Sequence, residues 1–113
     1  MRRSERLRSR RDFAAVYRRG RPYRSDLLIM RVFQTEAAHS RFGFAVGKPL
    51  GTAVVRNKVK RRLREAVRSF AVGSGWDVVL TARKGSERAS YAALREAIGA
   101  LFGRAGLLAS ERD

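Results

Sequence analysis

The sequence predicts a small α+β or α/β sandwich of helices on a sheet, and three observations carry that prediction. Apolar periodicity changes along the chain in the order helix, strands, helix, strand, helix, broken by glycine-rich turns. Of the 113 residues 44% are apolar, enough for one hydrophobic core despite a formal net charge of +16. No internal repeat or long linker divides the chain, so residues 1–113 form a single domain.

Residues 1–8 are charged and aperiodic, which predicts a flexible basic arm anchored through Leu7. Ser9 with Asp12 approximates a capping box and opens a helix; Phe13, Val16 and Tyr17 share its face, and Gly20 stops it. After a Gly-Arg-Pro turn, Tyr23 to Gln34 reads as one or two strands, weakened around Ser25 and Asp26, and residues 35–40 read as a loop. Phe42 to Val46 is a second apolar strand, followed by a turn containing Gly47, Pro49 and Gly51. Thr52 caps the longest helix, whose core face is Val55, Val59, Leu63, Ala66, Val67 and Phe70, out to about Ala71. Beyond Gly73-Ser74-Gly75, the run from Trp76 to Ala82 is a buried strand and Lys84 to Ala89 a loop. Ser90 caps a last helix with Leu94, Ala97, Ile98, Leu101 and Phe102 inward, closing near Gly103 to Gly106, and residues 107–113 are expected to fray.

The charge is not evenly spread. Residues 1–24 hold ten arginines against Glu5 and Asp12, and residues 48–68 hold eight basic residues against Glu65. These two segments carry almost the whole excess, which predicts two basic surfaces facing a polyanion. Only Lys48, Lys58, Lys60 and Lys84 are lysine. Arginine suits bidentate phosphate contacts and base stacking; a GC-rich coding bias would also favour arginine but would not cluster it. No apolar run is long enough to span a membrane, and the basic N-terminus, Arg2-Arg3 included, lacks the apolar segment of an export signal, so the expected compartment is the cytoplasm. With no cysteine and one histidine, His39, disulfide frameworks and zinc modules are excluded.

At 100° per residue, Asn57, Arg61, Arg64 and Arg68 share one face of the second helix, opposite its apolar stripe, with Lys60 beside them. Like charges one turn apart repel and Glu65 alone compensates, so the stripe calls for an external anion. Without such an anion it is a solvated cationic face. The acidic residues are scattered, and beside a single histidine they make no nuclease centre.

The segments Arg41-Phe-Gly-Phe-Ala-Val-Gly-Lys48 and Ala53-Val-Val-Arg56-Asn57-Lys58-Val59-Lys60-Arg61-Arg62-Leu63-Arg64 resemble the signature region of the bacterial ribonuclease P protein subunit. The resemblance extends to Arg6-Leu7-Arg8, to Asp12-Phe13 with Val16-Tyr17 and Gly20, and to the strand from Trp76 to Arg83. The family motif begins Arg-Asn-Arg; here its third position is Lys58, which keeps the charge and loses the fork geometry.

The resemblance implies an α/β sandwich of about four strands in a mixed sheet with three helices and a left-handed βαβ crossover, where the residues alone would favour the right-handed default. It also implies the protein component of an endoribonuclease whose catalytic centre lies in its RNA. That RNA removes the 5′ leader of precursor tRNA with Mg2+, and the protein lowers the magnesium requirement. The implied partners are the catalytic RNA and the leader, with no membrane and no obligate protein partner. The RNA-binding helix residues are then Arg56, Asn57, Lys58, Lys60, Arg61, Arg64 and Arg68. The leader cleft would take Phe13, Tyr17, Arg10, Arg11, Arg31 and Lys48, with Arg31 standing where the family often has an aromatic. Aromatics beside cations hold unpaired bases with little sequence preference; for Phe13 and Tyr17 the alternative is core packing. A ribosomal or other structural RNA-binding protein would show the same size and charge. A membrane-surface protein needs an exposed apolar helix face, and a helix-turn-helix needs a partner helix before the basic one; neither is present in the pattern. His39, Trp76 and residues 86–90 read as structural.

Overall fold

The computed structural model describes residues 5–109. The chain runs α1 (Arg10–Arg19), β1 (Arg21–Arg24), β2 (Leu28–Gln34), β3 (Arg41–Ala45), α2 (Ala53–Arg68), β4 (Trp76–Ala82) and α3 (Tyr91–Ala105), with single 3₁₀ turns at Lys48–Leu50 and Ser86–Arg88. The four strands form one mixed sheet in the order β1-β2-β4-β3. β1 and β2 are an antiparallel hairpin, β2 pairs antiparallel with β4, and β3 runs parallel to β4 with α2 as the crossover.

Pleat alternation divides the sheet into two faces. Leu28, Met30, Val32, Val78 and Leu80 point one way, into the main core with α2 and α3. Val79 points the other way and is buried with Val16 of α1 and Leu7. Helix α1 thus covers part of the opposite face, adding an incomplete third layer to the expected sandwich. The expected caps form: Ser9, Thr52 and Ser90 each accept the backbone N–H three residues on.

Two boundaries and one core position depart from the sequence reading, and the weak point expected at Ser25 and Asp26 becomes a turn. Arg21 and Pro22 belong to β1, not to a turn, because β1 is an edge strand where proline loses no ladder bond. The hairpin turn sits at Ser25, whose hydroxyl accepts from the N–H groups of Leu27 and Leu28. Helix α2 ends at Arg68, short of Ala71, since the N–H groups of Ser69 and Phe70 bond back three residues to Ala66 and Val67 and tighten the last turn. Val55 is only half-buried; its side chain lies against Gly51, whose φ of 142° no other residue adopts easily.

The expected frayed tail is corrected at residues 107–109. Leu107 is fully buried, its carbonyl accepts from Gly73, and Ala109 donates to Ala71. The basic arm meets the sheet at Leu7, its expected anchor: Leu7 is buried and donates to the Phe42 carbonyl, and Arg6 bridges to Phe42 along the β3 edge. An apolar side chain with a sheet edge to pair against outweighs local charge. The remainder of both segments, including Arg2-Arg3, lies outside the described residues. Among the described residues no helix is long and apolar enough to cross a membrane.

Candidate nucleic-acid interface

Helix α1 lies over the rows Phe33, Asp77, Arg41 and Arg31, Val79, Gly43, and leaves the next row, Ile29, Thr81 and Ala45, as a half-buried floor. The expected leader cleft would lie beside α1 and above that floor. Tyr17 is 45% exposed at its wall, and the Arg31 guanidinium lies 5.1 Å from its ring centroid. Where the family often has an aromatic, Arg31 therefore makes a cation–π contact with Tyr17. Phe13 lies deeper. It packs with Leu7, Val16 and Val79, and its ring sits so close to Gly43 that a Cβ there would come within 2.5 Å of Cζ. Packing, more than an open stacking face, sets its position. Arg10 and Arg11 are exposed in the first turn of α1, and Lys48 is exposed just past the end of β3.

One ion-pair network sets the position of α1. Arg41 donates from Nε and Nη2 to both carboxylate oxygens of Asp77, at 3.0 and 2.8 Å, and from Nη1 to Asp12 at 3.2 Å. Asp77 is 5% exposed, so its charge requires this bidentate partner. The bond to Asp77 raises the Arg41 pKa above its ordinary value, against the opposing effect of burial. The sequence reading missed this role. Its signal was available in Asp77, a lone acid within the apolar run Trp76 to Ala82.

The cations of α2 separate into two rows. Asn57, Lys58, Arg61 and Arg68 are exposed, and Arg68 meets Glu65 at 3.6 Å in a solvated pair. Arg56, Lys60 and Arg64, spaced by four, are half-buried on the adjacent face. The Arg64 guanidinium lies 6.0 Å from the Phe44 ring centroid. Burial and the positive charge of Arg6 lower its pKa below the usual arginine value. Arg62 is spent structurally, donating to the Ala89 carbonyl at 3.1 Å.

A cavity of about 190 Å³ joins the two regions. Arg6, Arg8, Lys60 and Arg64 line it together with Phe13 and Phe44, and no acid does. Four cations and three phenylalanines, Phe42 included, around one small hollow suit a phosphate and an unpaired base. A larger cavity, about 460 Å³, lies at the far end of α2 beside His39 and Arg68, away from this concentration of cations. Among the described residues no three His, Asp or Glu side chains gather as a group able to hold a metal ion.

The family model for ribonuclease P matches residues 1–106. The chain belongs to the ribonuclease P protein family. The ribonuclease P protein component of Symbiobacterium thermophilum is 42% identical over 98% of this chain and 99% of its own length. That of Herpetosiphon aurantiacus is 41% identical over 95% of this chain and 89% of its own. Among solved structures, the RNase P protein of Thermotoga maritima superposes with a TM-score of 0.81 at 31% identity, covering 88% of this chain and 96% of that one. The Staphylococcus aureus RNase P protein gives 0.83 at 25% identity, covering 93% and 98%. As a ribonuclease P protein the chain is the protein subunit of a ribonucleoprotein enzyme of tRNA 5′ processing, and a ribosomal role is not favoured.

Proposed function

We propose that this ribonuclease P protein holds two RNAs at once. The leader of precursor tRNA lies in the cleft of Tyr17, Arg31, Arg10, Arg11 and Lys48, with Phe13 at its inner wall. The catalytic RNA lies along the α2 cations Arg56, Asn57, Lys58, Lys60, Arg61, Arg64 and Arg68. The observation that carries this reading is the acid-free hollow lined by Phe13 of α1 and by Lys60 and Arg64 of α2, which supports two adjoining surfaces.

The chain contributes binding and charge, and hydrolysis belongs to the RNA. Asp12 and Asp77 are both engaged by Arg41, so among the described residues they do not form the free carboxylate set that a metal-dependent nuclease uses. Mg2+ is accordingly assigned to the RNA, with protein cations meeting part of its counterion demand. The cytoplasm is the compartment that goes with this assignment.

Reconstitution tests it. Added to a bacterial ribonuclease P RNA, the purified chain should stimulate removal of the leader at low magnesium, and alone it should cleave nothing. Cleavage by RNA-free protein that survives further purification, or no stimulation of the RNA, would overturn the reading.

A further inference from the structure

We propose that the β1 edge of the sheet carries a second RNA-backbone contact, formed by Arg21, Arg24 and Arg104 around Tyr23. The Arg21 guanidinium lies 5.3 Å from the Tyr23 ring centroid and that of Arg104 lies 5.9 Å from it. Arg104 also donates to the backbone carbonyl of Arg24 at 3.0 Å, which fixes the direction of its head group. All three arginines are exposed, and among the described residues none has a carboxylate within ion-pair distance. Among the described residues Asp26, in the following turn, forms no ion pair.

Two guanidiniums drawn to one ring repel each other, and only the ring quadrupole and a carbonyl hold them together. A phosphate placed between them would relieve that repulsion and accept from both forks. The C-terminal dipole of α3 accounts for a cation at position 104 but not for its place beside Tyr23 and the Arg24 carbonyl. Arg104 lies outside both basic segments of the sequence, and only the packing of α3 on β1 and β2 brings it here. Pro22 removes a donor from the middle of the edge strand, so this edge is poorly suited to receive another β-strand. Charge of one sign beside a half-exposed ring fits the backbone of a folded RNA.

The placement matters because β1 and β3 are opposite edges of the sheet. The cationic hollow described above lies at the β3 edge, so the β1 patch would touch a different RNA segment. This contact rests on the RNA-binding role of the family and extends it.

The test compares Arg21→Gln/Arg104→Gln and Arg24→Glu with Arg61→Ala, measuring affinity against salt for the catalytic RNA, precursor tRNA and mature tRNA. The double variant should flatten the logarithmic salt slope for one of these RNAs by about 0.7 to 0.9, the value for the one phosphate the two arginines share. Arg24→Glu, which leaves the Tyr23 contacts in place, should weaken binding to the same RNA even where the double variant melts early. Because the chain has no cysteine, Arg24→Cys gives a single attachment point for an iron chelate. Strand scission from that point in one RNA supports the contact and names its source. Unchanged slopes in the β1 variants beside a lowered slope in Arg61→Ala would overturn the β1 contact alone. Unchanged slopes in all three would overturn it together with the RNA-binding assignment of α2.

Discussion

Arg41 and Asp12, 29 residues apart in sequence, meet at 3.2 Å across the junction of sheet and first helix. Because the same guanidinium grips Asp77 on β4, one side chain ties α1, which carries Tyr17, to the sheet. The fold and the candidate leader site are coupled through this residue.

Replacing Arg41 with methionine should therefore act on both. It strands the buried Asp77 carboxylate, and since the Arg41 side chain is 32% exposed the loss should be about 2 to 3 kcal/mol, below the range for a fully buried pair. Asp12→Asn cuts only the tie to α1; it should cost under about 1 kcal/mol and weaken leader binding more than stability. Equal effects of the two variants in thermal melts would refute this division.

Tyr17 separates stacking from packing. Its exposure of 45% means that Tyr17→Ala should hardly move the melting temperature. Affinity for precursor tRNA with a leader of several nucleotides should fall by about 1 to 3 kcal/mol, and affinity for mature tRNA should not change. Equal losses on both substrates, or none, would exclude leader stacking at Tyr17.

The two rows of α2 should respond differently. Arg61→Ala, on the exposed row, should lower the salt slope for catalytic RNA by about 0.9 per duplex phosphate contact without affecting stability. Arg64→Ala should do the same and in addition lower the melting temperature, because its stem packs toward Phe44 and lines the hollow. Salt titrations and melts on the same samples check both; a stable Arg64→Ala protein would argue against the half-buried row.

Gly43→Ala probes the seat of Phe13. The added methyl meets the far end of the Phe13 ring at 2.5 Å, so the ring should swing outward at a cost of about 1 kcal/mol, the low end for overpacking. Combining it with Phe13→Leu should remove most of that cost. Strict additivity of the two changes in denaturant unfolding would show that the contact does not exist.

Much of this molecule could be read from local pattern. Ser9, Thr52 and Ser90 announced three helices, the apolar alternation placed the strands, and the clustering of arginine and lysine located two cationic surfaces. Such features are legible because capping, amphipathic periodicity and charge density depend on residues a few positions apart.

Tertiary structure decided what depends on contacts between distant segments. Asp77 could not announce that Arg41 and Asp12 would complete it, nor Gly43 that it makes room for Phe13. Leu107, read as part of a frayed tail, is buried because a helix-end turn receives it, and the partner of Leu7, the expected anchor of the arm, is the Phe42 carbonyl at a sheet edge. The even stripe expected on α2 became an exposed row and a half-buried row once Phe44 and Arg6 came to lie beside one side of it. By itself the sequence determined the family, the element types and the sign of the partner's charge, since these follow from composition and short spacings. The shape of the cleft, the hollow at the β3 edge and the meeting of Arg21 with Arg104 on Tyr23 were decided by packing, because each joins side chains whose proximity no local rule encodes.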